Sequence, residues 1–313
     1  MRYLSELREG EIVRDIYFCK QAQTLRAKTG KSYMSLILQD KTGTVDGKVW
    51  ELGSGIGHFE PMDYIMIDAQ VTSYQGANQL NIRRIRKADE GEYDVSDYMP
   101  CSRRNVEEMY NELLGIIGSV KEPHLKKLLD AFYVEDKAFV QIFKSHSAAK
   151  SVHHNFIGGL LEHTLGVAKL CDYLAGTYEV LNRDLLVTAA IFHDIGKTKE
   201  LSVFPENDYT DNGNLLGHIY MGTEMIGRKI DAIGGFPKNL AGELKHCILA
   251  HHGELEFGSP KKPALVEALA LAMADNLDAK LESMRELLNT PEADAGWLGY
   301  QRLFESNVRK TGL

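Results

Sequence analysis

Residues 185–197 read LLVTAAIFHDIGK. A run this apolar builds a helix buried on most sides, and Gly196 reads as its C-terminal stop. His193 and Asp194 then sit on the last buried turn, where desolvating two polar groups is costly unless something binds them. Adjacent helical residues project about 100° apart, so both can grip one ion from neighbouring sides.

The same conflict recurs along the chain. Residues 263–282, PALVEALALAMADNLDAKLE, are apolar and Ala-rich, with Leu271 and Leu281 marking the core side. Asp275 is embedded there, and Asp278 shares its face at i+3. His163 lies in GGLLEHTLGVAKL, among Leu160, Leu161, Leu165 and Ala168, on a helix that begins after Gly158-Gly159. His218 and the pair His251-His252 stand between these stretches, and nine of the eleven histidines fall between His146 and His252. Any one of these residues has a plain alternative, a satisfied core histidine or a helix acid paired with Lys or Arg. The set does not, because carboxylates in apolar helices are costly without a counter-charge. Imidazole and carboxylate are the ligands of divalent first-row metals. A bridging carboxylate with ligands on each side is what a two-metal hydrolytic site requires, though periodicity alone does not separate one ion from two.

A length of 313 residues suits two domains, and 44% hydrophobic with 26% charged residues is ordinary for a globular chain. No apolar run approaches a membrane span, and the start MRYLSELREGE has no signal-peptide core, so a cytoplasmic protein is expected. Cys19, Cys101, Cys171 and Cys247 are scattered without a CxxC pair, which reads as reduced thiols, with Cys247 a core residue rather than a ligand. The net charge of −8 argues against indiscriminate nucleic-acid binding but leaves room for a local basic groove.

The chain divides near residue 95. Before it come strand-like stretches: EIVRDIYFCKQAQTLRA, SYMSLILQD, TVDGKVWE after a KTG turn, DYIMIDAQVTSYQG and NQLNIRRIRKA. Met34, Leu36 and Leu38 alternate with Tyr33, Ser35 and Ile37. Five strands with Gly turns fit a small Greek-key barrel of OB type. A sandwich fragment would share the pattern, but LILQDKTGTVDGKVWE resembles nucleic-acid-binding OB domains and favours the barrel. ADEGEYDVSDYMP is an acidic connector with a Pro stop, and 105–150 reads as two or three amphipathic helices.

GGLLEHTL (158–165), FHDIGK (192–197), LLGHIYMG (215–222), LAHHGELEFGSP (249–260) and MADNLDAKLE (273–282) together resemble the HD-domain metal-dependent phosphohydrolases. With the SAAKSVHHNFIGGLLEH lead-in (147–163) and the OB-like front, the chain is more closely similar to the YhaM-type 3′→5′ exoribonucleases, which join an N-terminal OB-fold to a C-terminal HD domain. The resemblance implies an all-β OB barrel over 1–95, a helical connector over 96–150 and an all-α HD domain over 151–313. It makes His163, His193, Asp194 and Asp275 ligands of one ion. His218 and His251, with His252 as a further candidate, would hold a second ion bridged by Asp194. Mn²⁺ is the favoured metal, with Fe²⁺, Co²⁺ or Mg²⁺ as alternatives. Release of 5′-mononucleotides from a 3′ end is likewise implied by the resemblance, not by spacing.

A water between two divalent ions loses its proton near neutral pH and attacks phosphorus. Lys197 would either offset charge on the transferring phosphate or cap the dipole of its helix. His153 and His154 would contact substrate phosphate or protonate the leaving 3′-oxygen, unless they serve only as loop. Lys150 and Arg309 are further candidates.

OB barrels stack bases on aromatics in an electropositive groove, at roughly 1–3 kcal/mol per base. Tyr33, Trp50 and Tyr74 are the candidates, and Lys48 alternates with Trp50 opposite Val45, Gly47 and Val49. Arg83, Arg84, Arg86 and Lys87, with Arg26, Lys28 and Lys31, supply charge. Core packing and a solvated strand edge are the plain alternatives. Beside a phosphodiesterase site the set favours single-stranded RNA, with single-stranded DNA also open. Three other functions remain in view. An HD nucleotidase or dNTP triphosphohydrolase has no need of a barrel. A cyclic-dinucleotide phosphodiesterase would carry an extended segment after HDIGK that is missing here. The complete ligand set argues against a non-catalytic RNA scaffold. A homo-oligomer is open.

Overall fold

The computed structural model describes residues 1–27, 30–74, 76–99, 101–150, 154–289 and 296–312. They form two compact units, Met1–Cys101 with Phe204–Glu206, and Ser102–Val203 with Asn207–Leu313.

In the first unit the alternating stretches become β1 (Ile12–Arg26), β2 (Ser32–Asp40), β3 (Gly43–Val49), β4 (Tyr64–Tyr74) and β5 (Ala77–Lys87). They close in the order β1-β2-β3-β5-β4, with β3 and β5 parallel and the remaining neighbours antiparallel. This is an OB-type barrel, and closure removes the exposed edges that an open sheet would present. β1 is long because it serves two neighbours: residues 12–18 pair with β4, residues 18–26 with β2, and a bulge between Cys19 and Gln21 marks the changeover. Leu36, Leu38, Val45, Val49, Ile65, Ile67, Leu80 and Ile82 fill the interior. Tyr33, Ser35, Lys48 and Trp50, one step out of phase, fall on the outer face. A second bulge, opposite Asp68–Ala69, leaves Arg83 and Arg84 exposed in succession.

The second unit contains α1 (Val106–Ser119), α2 (Pro123–Tyr133), α3 (Lys137–Ser145), α4 (Gly159–Thr177), α5 (Arg183–Phe192), the single turn α6 (Lys197–Glu200), α7 (Asp211–Ile233), α8 (Lys238–Leu249) and α9 (Val266–Leu288). Asn105, Asp136, Asn182 and Thr210 accept from first-turn N–H groups and so fix where α1, α3, α5 and α7 begin. Leu113, Leu128 and Phe143 of the first three helices enter the same core as Leu161, Leu186, Ile248 and Leu271. The unit is not helical throughout: β6 (Trp297–Gln301) and β7 (Ser306–Arg309) form an antiparallel hairpin after α9. Aromatic residues around a short turn favour strands there.

Two local expectations are corrected. Leu271 is buried but Leu281 is 58% exposed; ten residues are 2.8 helical turns, so the two point about 80° apart. In addition, α5 ends at Phe192, and Gly196 keeps a right-handed φ of −64° rather than forming a left-handed cap. Gly196 supplies closeness instead, because a Cβ there would collide with the backbone oxygen of His218.

Candidate metal centre and nucleic-acid face

Five helices bring the polar groups together. His163 comes from α4, His193 and Asp194 from the turn after α5, His218 from α7, His251 and His252 from the turn after α8, and Asp275 and Asp278 from α9. Asp194 lies at the centre and is buried. Its Oδ2 is 3.4 Å from Nε2 of both His163 and His193, whereas its Oδ1 is 3.5 Å from His218 Nε2 and 3.7 Å from His251 Nε2. Asp275 Oδ1 adds contacts of 3.1 Å to His163 Nε2 and 3.7 Å to His193 Nε2. The groups His163–His193–Asp275 and His218–His251–His252 each keep their donor atoms within 4.8 Å of one another.

Each imidazole is oriented from behind. Nδ1 of His193, His251 and His252 lies 2.7 Å from the carbonyl oxygens of Ala190, Ile248 and Phe257 respectively. A carbonyl only accepts, so these rings donate from Nδ1 and present Nε2 as a lone pair. Carboxylates do the same for the other two: His163 Nδ1 is 2.7 Å from Asp278 Oδ2, and His218 Nδ1 is 3.0 Å from Glu200 Oε1. In these tautomers the Nε2 atoms of His163 and His193, 3.1 Å apart, face each other lone pair to lone pair. That arrangement calls for a cation between them, a metal ion or, in its absence, the proton that the facing carboxylates of Asp194 and Asp275 favour on His163. Asp194 Oδ1, His218 Nε2 and His251 Nε2 are buried without a hydrogen-bond partner. Geometry and donor chemistry therefore fit a divalent metal.

The electrostatics agree. Burial opposes ionisation of Asp194, but Lys197 and the His193 and His163 rings outweigh it and hold the carboxyl well below its usual range. Asp275 is depressed by its histidines in the same way, and Asp278 by His154 and His163, against the same opposing burial. His251 shows the opposite balance: burial, then the neighbouring His252 and His193, push it well below the usual histidine value. A neutral imidazole of this kind is ready to ligate.

Lys197 opens α6 with its ammonium 2.5 Å from Asp194 Oδ2. It serves the central carboxylate rather than the carbonyl end of α5. His154 is buried with a left-handed φ of 58°, and its Nε2 is 3.2 Å from Asp278 Oδ2. His153 lies outside the described residues. Lys150 is paired with Asp208 at 2.5 Å, and the Arg309 guanidinium lies 5.6 Å from the Trp297 ring centre. Cys247 is part of the helical core. Glu200 was missed in the sequence, and Asp278 had no assigned role. The signal for Glu200 is a backbone break: α7 is interrupted at Gly217 (φ 72°, ψ 156°), and the His218 N–H freed there donates to Glu200 Oε1 at 3.0 Å. A side chain at that φ would be strained.

On the barrel, Tyr33 and Trp50 stack with ring centres 4.8 Å apart. Lys48 Nζ donates to Ser35 Oγ at 2.6 Å on the same face, and Arg83 donates to Gln70 Oε1 at 3.1 Å. Arg14, Asp68, Arg83, Arg84 and Arg86 line a cleft of about 610 Å³. Charge there is partly spent, since Arg86 pairs with Glu92, Lys87 with Asp63 and Arg14 with Asp68. Tyr74 is exposed at the end of β4, whereas Lys28 falls outside the described residues.

An OB-type barrel followed by a helical unit with this His/Asp arrangement defines a protein of the HD-domain class, and residues 160–280 match the HD domain model. The 3'-5' exoribonuclease YhaM of Geobacillus sp. (strain WCH70) is 35% identical over 281 residues, 88% of this chain and 84% of that protein. The protein of the same name from Listeria monocytogenes serotype 4b (strain CLIP80459) is 34% identical over 91% of this chain and 90% of its own length. The chain belongs to the YhaM family. Among solved structures, the second OB-fold domain of replication protein A from Methanococcus maripaludis aligns with 18% identity and a TM-score of 0.24, covering 29% of this chain and 96% of that one.

Proposed function

We propose that this protein is a metal-dependent 3′→5′ exoribonuclease that releases 5′-mononucleotides from single-stranded RNA, with single-stranded DNA as a secondary substrate. The observation that carries the reading is the division of Asp194: one oxygen faces His163 and His193, the other faces His218 and His251. In this reading His163, His193, Asp194 and Asp275 hold one divalent ion. His218 and His251, with His252 alongside, would hold a second, with Asp194 available to both sides. Mn²⁺ is the favoured ion, with Fe²⁺, Co²⁺ or Mg²⁺ as substitutes. Two ions, when bound, supply an activated water and neutralise charge on the phosphate.

The chain's own groups set up that chemistry. Lys197 keeps Asp194 ionised and puts a positive charge at the edge of the site. His154 acts through Asp278, to which its ring is hydrogen bonded, and thereby steadies His163. Tyr33, Lys48, Trp50, Arg83 and Arg84 form the face that takes the RNA, bases on the aromatic pair and phosphates on the arginines. Among the described residues no helix is long and apolar enough to cross a membrane, and the four cysteines are free, which supports work in the cytoplasm. The deciding experiment uses chelator-stripped protein, 5′-labelled RNA and free nucleotides, with Mn²⁺ added back. Metal-dependent laddering from the 3′ end is expected. Turnover of nucleotides alone would replace this reading with a nucleotidase.

A further inference from the structure

Four glycines of the helical unit are distinguished by how closely another group approaches them. Among the described residues, an added Cβ would meet the backbone oxygen of His154 at Gly159, the Asp278 carboxylate at Gly166, the backbone oxygen of His218 at Gly196 and that of Glu200 at Gly213, each well inside van der Waals contact. The next tightest position, Gly47, faces only the tip of the Ile82 side chain within the barrel, at 2.8 Å. The residues so approached belong to one place. His218 faces Asp194, Glu200 holds the His218 ring, and Asp278 is hydrogen bonded to His163 and His154. In three of the four cases the neighbour is backbone; at Gly166 it is a side chain that works on a ligand histidine. Gly166 also lies well inside α4, where glycine is less favourable than alanine.

We propose that Gly166 is a positioning residue of the metal centre and acts through Asp278. The inference rests on the reading of His163 as a metal ligand. Gly166 follows His163 by three positions on α4, so the two share a face. The Asp278 carboxylate reaches across from α9 with Oδ2 at 2.7 Å from His163 Nδ1 and 3.2 Å from His154 Nε2. Its Oδ1 occupies the space that a Cβ at position 166 would fill. Cγ and Oδ2 would lie 3.1 and 3.5 Å from that Cβ, so turning the carboxylate about its own axis leaves Cγ too close. Asp278 has a single methylene of reach. Leu165 and Ala168 of α4 share one core with Leu271 and Ala274 of α9, so neither helix can draw back freely. The carboxylate itself must withdraw, by roughly 1 Å to reach ordinary contact, and Oδ2 then leaves hydrogen-bond range of His163 Nδ1. His163 loses the acceptor that orients its ring and turns Nε2 to the metal side. The missing Cβ at position 166 is what lets Asp278 stand close enough to do this.

The test is Mn²⁺ binding by the full-length protein, measured by titration calorimetry for wild type, Gly166→Ala, Asp278→Ala and the double variant. Loss of the hydrogen-bond partner behind a ligand histidine lowers metal affinity about 10–100-fold, so Gly166→Ala should weaken the ion on the His163 side by that factor. The double variant should bind as Asp278→Ala does alone, because without the carboxylate the added methyl has nothing to displace. Gly176→Ala, on the same helix with nothing near its added methyl, should bind metal like the wild type and raise the urea midpoint. If Gly166→Ala does not fold, the double variant decides: folding recovered by Asp278→Ala supports the contact, and folding not recovered overturns it. Wild-type affinity in Gly166→Ala overturns the proposal while the metal centre stands, and so do additive losses in the double variant. A wild type that binds no divalent ion would sink the metal reading itself, and this inference with it.

Discussion

Asp194→Ala removes the carboxylate that both halves of the metal centre share, but its first effect falls on Lys197. That ammonium lies 2.5 Å from Asp194 Oδ2 with only 14% of its side chain exposed, so the variant leaves a buried charge without its partner. Removing one member of a buried pair costs about 3–5 kcal/mol. The low end is expected here, about 3 kcal/mol, because Asp275 and Glu200 also hold the ammonium. Urea unfolding in chelator at neutral pH, followed by circular dichroism, isolates this term from the metals. Lys197→Met in the same chain removes the stranded charge, and the double variant should recover more than half of the loss, a coupling of about 2 kcal/mol. With Mn²⁺ present, hydrolysis by Asp194→Ala should fall at least about 10³-fold, since a two-ion site supplies several kcal/mol at the transition state and each 1.36 kcal/mol is about tenfold. RNA binding should persist and bound metal should disappear by elemental analysis. A loss below about 1 kcal/mol that is additive with Lys197→Met, or undiminished turnover, would refute the reasoning.

The two sides of the centre should separate under excess metal: Mn²⁺ titration is expected to rescue part of the activity of His218→Ala or His251→Ala, and less of His163→Ala or Asp275→Ala. Equal, unrescued losses with unchanged metal content would point to a single ion. Trp50→Ala with Arg83→Ala and Arg84→Ala should raise KM for long RNA with little change in kcat, and flatten the salt dependence by up to roughly 0.7 log units per lost phosphate contact; an equal effect on a very short oligonucleotide would exclude substrate capture by the barrel. Metal-free stability should peak near pH 6.5, the ordinary histidine value. Burial opposes the charge on His163, but Asp194, Asp275 and Asp278 raise it well above that value, so its contribution is full below pH 6.5 and lost as pH rises through the raised value. His251 is depressed, so its neutral form costs stability as pH falls below 6.5, at about 1.4 kcal/mol per pH unit. Urea midpoints measured in chelator from acid to alkaline pH check this, and a flat or monotonic profile would contradict it.

The barrel was legible because period-2 alternation survives in Leu36, Leu38, Val45 and Val49, all of which point inward. The convergence of the candidate ligands was legible because ionisable groups in apolar helices need a reason. What the sequence concealed was geometry set by backbone departures from regularity. Gly196 looked like a cap, but it is a contact point for the backbone of His218. The bulge that exposes both Arg83 and Arg84 has no composition signature. Glu200 and Asp278 were obscure for a related reason: each acts on a histidine far away in sequence, 18 and 115 positions respectively.

Because α7 is broken at Gly217, His218 is held at a joint, its N–H tied to Glu200 instead of to the helical ladder. His163 and Asp275 sit within unbroken helices that run into the main core. The centre thus rests on unequal foundations. Local opening at the joint costs only a few bonds, whereas opening at α4 or α9 disrupts the core itself. In the proposed two-ion reading the His218 side is expected to release its ion first while the fold stands, an order that metal analysis during stepwise chelation measures.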